Sequence, residues 1–469
     1  VSNKWFICGL AAALLIVFSS VLLSVAWAAE LFAPKHVTLT WTADPQTTQT
    51  ITWKTAAGES DGQIEYAEAD GAGEFPEIIV KIAAQSELLS TEAGDMMIHT
   101  VTLNRLKPGV RYVYRLGSGD NWSRLYSFTT AAAGISAFKF LVFGDSQSVQ
   151  YDTWRTVIEQ AYTTNADAAF LTVVGDLVDV GQDYSQWEGW FDAAAGVIDT
   201  IAVMPLTGNH ENYTPVWGER SLPKLFAAQF KLPDNGPEGL KGLVYSFDYG
   251  NAHFTVLDSQ EREEARFIPN MLEKQQAWLD ADLAATAKMW KIVFFHKPPY
   301  HSVSGRGNDT VREAFVPILD KHHVDVVFNG HDHIYARTYP LFSDKIVDSS
   351  VKGTIYVTTG RSGTKAHQDA LPNDMHDFFY NPNDEPNYLT VEILSDCLTV
   401  KAFKHSGVLI DCWRIDKSGL LPMYKADSRR YYDEMWKRSS TPLVEPIAAH
   451  RSWSRRQDCA LEKSLVSAA

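Results

Sequence analysis

The chain has 469 residues, of which 45% are hydrophobic and 21% charged, so it is long enough for two or three packed domains and too apolar for a disordered polymer. Its 42 Lys and Arg against 57 Asp and Glu leave a net charge of −15, which excludes a surface built to wrap nucleic acid. A phosphorylated substrate is not excluded, because bound metal ions reverse the local field.

The N-terminus reads VSNKWFICGLAAALLIVFSSVLLSVAWAAE. Lys4 gives it a positive start, Gly9 to Val25 is apolar, and Ala26-Trp27-Ala28, followed by Ala29, is a small-x-small cleavage site. Residues 1–28 therefore predict a signal peptide and an exported protein, whether secreted, periplasmic or held at the cell surface. The competing reading is an uncleaved membrane anchor, since the apolar run approaches spanning length. Of the 4 cysteines, Cys8 falls in this segment, and Cys397, Cys412 and Cys459 remain. Export favours one disulfide among them, and Cys397 and Cys412 flank HSGV at positions expected to face each other. There is no C-x-x-C, so a thiolate zinc site is not expected.

Residues 36–130 predict a small all-β sandwich. HVTLTWTA, TITWKT, QIEYAEA, MIHTVTLNRL, RYVYRLGSG and RLYSFTT alternate apolar and polar residues, with turn-rich segments between most of them. LKPGVRYVYRLGSGDNWSRLYSFTT resembles the last strands of a fibronectin-type-III-like module. His36 and His99 are isolated here and are expected to be structural.

After AAAGISA the pattern changes. FKFLVFGD, AAFLTVVGD, IAVMPLTGNHE, AHFTVLDS, KIVFFHKPPY, VDVVFNGHDH and GTIYVTTG are short β-branched or aromatic runs, and helical stretches such as YDTWRTVIEQAYTT and MLEKQQAWLDADLAAT fill the gaps. Strands alternating with helices predict an α/β domain with buried sheets over residues 137–417, closed by a β-hairpin over 387–417. Residues 420–469, with the basic aromatic stretch SRRYYDEMWKRSS, carry no assignment and read as a surface tail.

Polar clusters sit at the ends of the apolar runs, where α/β sheets collect ligands. They are Asp145 and Gln147 in GDSQ, Asp176 and Asp179 in GDLVDVG, Asn209, His210 and Glu211 in GNHE, His296 and His301 in HKPPYH, and His331, Asp332 and His333 in GHDH. One Gly-Asp after a strand is an ordinary turn or helix cap, and one H-x-H is a weak signal. Five such clusters in succession point to a metal site. Carboxylate, amide oxygen and imidazole suit two hard-to-borderline divalent ions, and the absence of thiolate disfavours a soft-metal site.

The order D…GD…GNHE…H…GHxH, from Asp145 to His333, resembles the calcineurin-like metallophosphoesterase superfamily, and within it the purple acid phosphatase type. The β-sandwich and the segment GTIYVTTGRSG also look like that group, so the resemblance covers residues 36–417. It implies a metallophosphoesterase domain of two packed β-sheets flanked by helices. It implies that Asp145 and His333 bind the first metal, that Asp176 bridges both, and that Asn209, His296 and His331 bind the second. It puts His210 beside the leaving group, with His301 a second candidate acid or phosphate donor, and gives Glu211 an orienting role. Two positions depart from the pattern. The first motif is D-x-Q, not the frequent D-x-H, and Asp179 stands where purple acid phosphatases place a tyrosine. Gln147 is the first choice for the remaining ligand of the first metal and Asp179 its rival. Without a tyrosinate, no purple iron–phenolate colour is expected.

The resemblance implies an exported, dinuclear-metal phosphoesterase that cleaves small phosphate monoesters by metal-activated hydroxide. A phosphodiesterase or nucleotide pyrophosphatase on the same centre is the alternative. Mn, Fe, Zn and mixed or mixed-valence pairs all fit the ligands. No nucleic-acid scaffold and no stable membrane partner beyond the N-terminal segment are expected. A cell-surface binding protein with a vestigial catalytic domain is disfavoured by the nearly complete ligand set, and a serine hydrolase by the lack of G-x-S-x-G.

Overall fold

A computed structural model describes residues 34–418, except 72–74, 120, 135, 136 and 351, together with the backbone of 425–426. The expected signal segment, Cys459 and nearly all of the expected tail lie outside the described residues.

The first nine strands form two sheets. They are β1 (Lys35–Thr40), β2 (Gln49–Ala56), β3 (Gln63–Glu68), β4 (Val80–Ala83), β5 (Gln85–Thr91), β6 (Gly94–Leu103), β7 (Arg111–Ser118), β8 (Asn121–Trp122) and β9 (Tyr126–Thr129). One sheet runs β1-β2-β6-β5, and the other runs β4-β3-β7-β8 with β9 also on β7. Alternation drives the pairing. Ile51, Trp53, Ile64, Tyr114 and Leu116 are buried between the sheets. His36 stacks on Phe191 with ring centroids 4.7 Å apart. His99 bonds Thr55 at 2.7 Å and Ser86 at 2.8 Å.

Strands β10 (Ala137–Phe143), β11 (Phe170–Val173) and β12 (Ala202–Val203) pair in parallel. A second sheet holds β13 (Tyr245–Tyr249), β14 (Ala252–Val256), β15 (Trp290–Phe294), β16 (Val326–Asn329) and β17 (Tyr335–Thr338). After a ribbon of β18 (Leu341–Phe342) and β19 (Lys345–Ile346), the chain returns to that sheet with β20 (Ile355–Thr359) and β21 (His376–Tyr380). Strands β14, β15, β16 and β20 are parallel neighbours. The chain then adds β22 (Asn387–Leu394), β23 (Cys397–Lys404), β24 (Leu409–Asp416) and β25 (Lys425–Ala426) to the first sheet, with β22 against β10.

The two seven-stranded sheets pack through aromatic residues. Phe140 and Phe170 stack at 4.9 Å, and Phe170 meets Phe254 of the other sheet edge-on at 5.3 Å. Helices cover the sheets, among them α1 (Asp152–Thr164), α2 (Tyr184–Ala194), α3 (Met271–Ala285) and α4 (Asp309–Lys321). In α1, Trp154, Val157, Ile158 and Ala161 fall on one buried stripe at helical spacing.

The sandwich is built into this core. Trp41 packs on Phe170 at 5.5 Å and Tyr249 at 5.4 Å. The Tyr114 hydroxyl donates to the Asp199 carbonyl at 2.8 Å, and Arg124 pairs with the Asp199 carboxylate at 2.6 Å.

Three expectations change. The sandwich gains β4 and β5, which lie at sheet edges with mostly exposed residues and so lack an apolar face to read. Residues 387–416 are three strands in a meander, not one hairpin. The β23–β24 register sets Cys412 opposite Lys401 and Cys397 opposite Asp416. The two cysteines are thus four rungs apart, roughly 13 Å along the strands, and do not face each other.

Candidate metal centre

The parallel strands all point their carboxyl ends at one place. Asp145 follows β10, Asp176 follows β11, and Asn209 and His210 follow β12. From the other sheet, His296 follows β15, and His331 and His333 follow β16. The residues therefore gather where two sheets end together.

Tight backbone geometry brings the loops into contact. Asp145, Asp176, His331 and His333 have φ values of 22°, 52°, 73° and 53°, a region that non-glycine residues rarely adopt and that marks functional sites. At Gly208 a Cβ would sit 2.1 Å from Asp176 Oδ1, so only glycine lets the GNHE loop approach.

Two groups of side chains result. Asp176, His296 and His331 form one, and Asp145, Asp176 and His333 form the other, with ligand atoms in each within 4.8 Å of one another. Asp176 belongs to both. Its Oδ2 lies 3.2 Å from His296 Nε2, and Asp145 Oδ1 lies 3.3 Å from His333 Nε2. The second imidazole nitrogens are fixed from behind, His296 Nδ1 donating to the Val174 carbonyl at 2.7 Å and His333 Nδ1 to that of Lys365 at 3.2 Å. Burial would raise the Asp176 carboxyl, but His296, His210 and His331 hold it well below the usual range. Burial works against charge on His296, and the adjoining Asp176 carboxylate overcomes it, raising the imidazole to about 9.

Two amide side chains complete the donor set. Asn209 Oδ1 and Gln147 Oε1 are buried and have no hydrogen-bond partner among the described residues. Asn209 Nδ2 donates to the Tyr213 hydroxyl at 2.7 Å, and Gln147 Nε2 donates to Asp176 Oδ2 at 3.1 Å. An orphaned buried oxygen is costly unless a cation or water takes it. Carboxylate, imidazole and amide oxygens around a shared carboxylate fit a pair of divalent ions.

The rivals for the first site differ in place. Gln147 lies against the group. Asp179 is turned away, its Oδ1 meeting the Lys365 ammonium and lying 3.1 Å from His210 Nδ1. The His210 hydrogen bond, with Lys365 beside it, holds the Asp179 carboxyl down at about 2. His210 Nδ1 also donates to the Asp179 carbonyl at 2.6 Å, which leaves Nε2 to face Asp176 at 3.8 Å. Glu211 orients its neighbours. Its carboxylate accepts from the backbone N–H groups of Gly208 at 2.6 Å, Leu177 at 2.8 Å, Asp176 at 2.9 Å and Val178 at 3.3 Å. His301 is half-buried and belongs to neither group of ligands.

A cleft of about 270 Å³ opens over Asp176, Asn209, His331 and His333. His210, Tyr213, Arg306, Lys365 and His367 line the rest of it, and His301 is not on its wall. The last four of those five were not anticipated. For Arg306, Lys365 and His367 the signals are a glycine-flanked arginine, GRG, and a basic stretch, TKAH, a few residues past a strand.

Residues 34–130 match the family model described as purple acid phosphatase, N-terminal domain, and residues 138–335 match calcineurin-like phosphoesterase. The chain belongs to the calcineurin-like phosphoesterases of purple acid phosphatase type. It is a metal-dependent phosphoric ester hydrolase of a family that uses a dinuclear centre. This phosphoesterase is 26% identical to mouse (Mus musculus) acid phosphatase type 7 over 362 residues, covering 70% of the chain and 78% of that protein. It is 29% identical to purple acid phosphatase 21 of Arabidopsis thaliana over 275 residues, covering 57% and 59% respectively. The structure of a purple acid phosphatase from yellow lupin (Lupinus luteus) seeds shares the fold, with a TM-score of 0.70, 21% identity, and coverage of 82% of this chain and 74% of that one.

Proposed function

We propose that this phosphoesterase hydrolyses phosphate monoesters and works outside the cytoplasm. The sharing of Asp176 between two carboxylate–imidazole groups on the floor of an open cleft carries the reading. Asp145, His333 and Gln147, with Asp176, would hold one ion, and Asn209, His296 and His331, with Asp176, the other. When bound, the ions supply Lewis acidity and lower the pKa of water towards 7. Two carboxylates against two divalent ions leave about +2, which favours a phosphate dianion in spite of the acidic chain. His210 delivers a proton to the leaving oxygen from Nε2, because Nδ1 is committed to the Asp179 carbonyl. The apolar N-terminal run with its small-x-small site supports export. Among the described residues, no helix is long and apolar enough to cross a membrane.

The test is hydrolysis of p-nitrophenyl phosphate and of its bis ester, by protein stripped of metal and then given Mn²⁺, Fe²⁺ or Zn²⁺. Metal-dependent turnover of the monoester is expected. Turnover of the diester alone would move the function to phosphodiesterase, and failure to bind metal would overturn the site.

A further inference from the structure

The loop Gly305-Arg306-Gly307 places one cation in the cleft with unusual care. Both glycines have left-handed backbones, with φ of 75° and 63°, so the chain turns sharply on each side of the arginine. Arg262 pins the loop from outside, donating to the Arg306 carbonyl at 3.0 Å and to the Gly307 carbonyl at 2.8 Å.

The Arg306 guanidinium is pinned as well. Nε donates to Asp332 Oδ1 at 3.1 Å. Nη2 donates to the His331 carbonyl at 2.6 Å and to His367 Nε2 at 2.8 Å. Asp332 is fully buried, and its other oxygen accepts from Ser302 N at 2.5 Å and Val303 N at 3.3 Å. Of the five N–H groups of an arginine, this leaves the pair on Nη1. They have no partner among the described residues, and Arg306 lines the cleft. The carbonyl that Nη2 holds belongs to His331, a candidate ligand, so Arg306 is tied to the backbone of the candidate metal centre.

A permanently charged, immobilised donor beside a phosphate site is a reader of anionic oxygen. A monoester dianion has three non-bridging oxygens. Were two of them held by the ions, the third would be left for a donor from the protein. In a diester that third position carries the second ester link, which has no charge to offer.

We propose that Arg306 selects monoesters over diesters by donating from Nη1 to this third phosphoryl oxygen. The idea rests on the monoesterase reading above and assigns its specificity to one residue.

The experiment compares wild type, Arg306→Gln and Arg306→Lys, each loaded with metal, on p-nitrophenyl phosphate and its bis ester. Metal content and the affinity for inorganic phosphate, by calorimetry, are measured beside turnover. Arg306→Gln is expected to lose on the order of 10²-fold in kcat/KM for the monoester, with a far smaller loss for the diester. Phosphate affinity should weaken at least about tenfold at unchanged metal content. Arg306→Lys keeps a cation against Asp332, guards against misfolding, and is expected to keep part of the monoester preference. Equal losses on both esters, or unchanged phosphate affinity, would overturn the proposal. If wild type cleaves neither ester, the monoesterase reading fails, and the phosphate titration alone decides whether Arg306 reads the anion.

Discussion

The His331 backbone N–H donates to both carboxylate oxygens of Asp145, 3.0 Å from each, across 186 residues of sequence. The His210 N–H does the same for Asp176 Oδ1 at 2.9 Å. Protein hydrogen bonds therefore join the loops of the two sheets without help from an ion. Stripping the metals is expected to abolish turnover while the far-ultraviolet circular dichroism spectrum stays unchanged. The melting temperature should fall and recover with added metal, because saturating ligand at 100 to 1,000 times its Kd contributes about 3–4 kcal/mol. Loss of secondary structure on chelation would contradict a preformed site.

Asp176→Asn removes a charge and an oxygen from both ligand groups at once. Bound metal should drop below two ions per chain, and kcat should fall on the order of 10³-fold or more. Metal analysis and initial rates check this, and full activity in the variant would remove Asp176 from its bridging place.

Glu211→Gln leaves the metal groups intact and strikes the clamp beneath them. The carboxylate accepts four backbone N–H groups, and an amide presents its own hydrogens to some of them. The cost is expected to be about 2–4 kcal/mol, read as a lower midpoint in urea, with weaker metal affinity as a consequence. An unchanged midpoint would show that the clamp adds little.

Iron-loaded protein should lack the visible band of a tyrosinate–iron bond. Asp179 occupies the position that the family gives to tyrosine, and its carboxylate is engaged by Lys365 and His210. Burial and then Asp176 push the Tyr213 phenol up, and its hydroxyl accepts from Asn209 Nδ2 at 2.7 Å. An absorption spectrum of the Fe³⁺ form tests this, and a purple solution would place a phenolate on iron.

Far from the cleft, His253 lies between Asp248 at 2.7 Å and Asp282 at 2.9 Å. Burial opposes its charge, but the two hydrogen-bonded carboxylates raise it to about 9. Its folded value is above its unfolded value of about 6.5, so its stabilisation is fully present below pH ~6.5 and is lost as pH rises through ~9. The contribution is at most ~3 kcal/mol. Wild type and His253→Gln melting curves should converge between pH 6.5 and 10. A constant gap across that range would mean that the ion pairs do not contribute.

Much of this was legible in the sequence. Asp145, Asp176, Asn209, His296 and His331 each follow a short apolar run, because buried parallel strands are apolar throughout and deliver their ligands at the carboxyl end. Glu211 was legible as an orienting group only through the resemblance. Strands β4 and β5 were not legible, since edge strands wet on both sides show no alternation. The Cys397–Cys412 spacing was misleading because register is set by the turn between β23 and β24, and Cys397 lies four residues further from that turn than Lys401, the partner of Cys412; the shift between Ala402 and Phe403 moves the pairing by one residue only. Arg306, Lys365 and His367 were hidden for another reason: their loops are placed by tertiary hydrogen bonds to Asp332, Asp179 and Arg262, which no local pattern encodes.

Trp41 has a consequence for how such a protein can be shortened. Its ring sits on Phe170 and Tyr249, so the N-terminal sandwich supplies a plug to the hydrophobic interior of the other domain. A gene trimmed to begin at β10 would encode every candidate ligand and still leave that aromatic floor bare to water, with Asp199 stripped of Arg124. Its product would be expected to clump before it could turn over substrate. The sandwich is thus inherited with the chemistry it never touches.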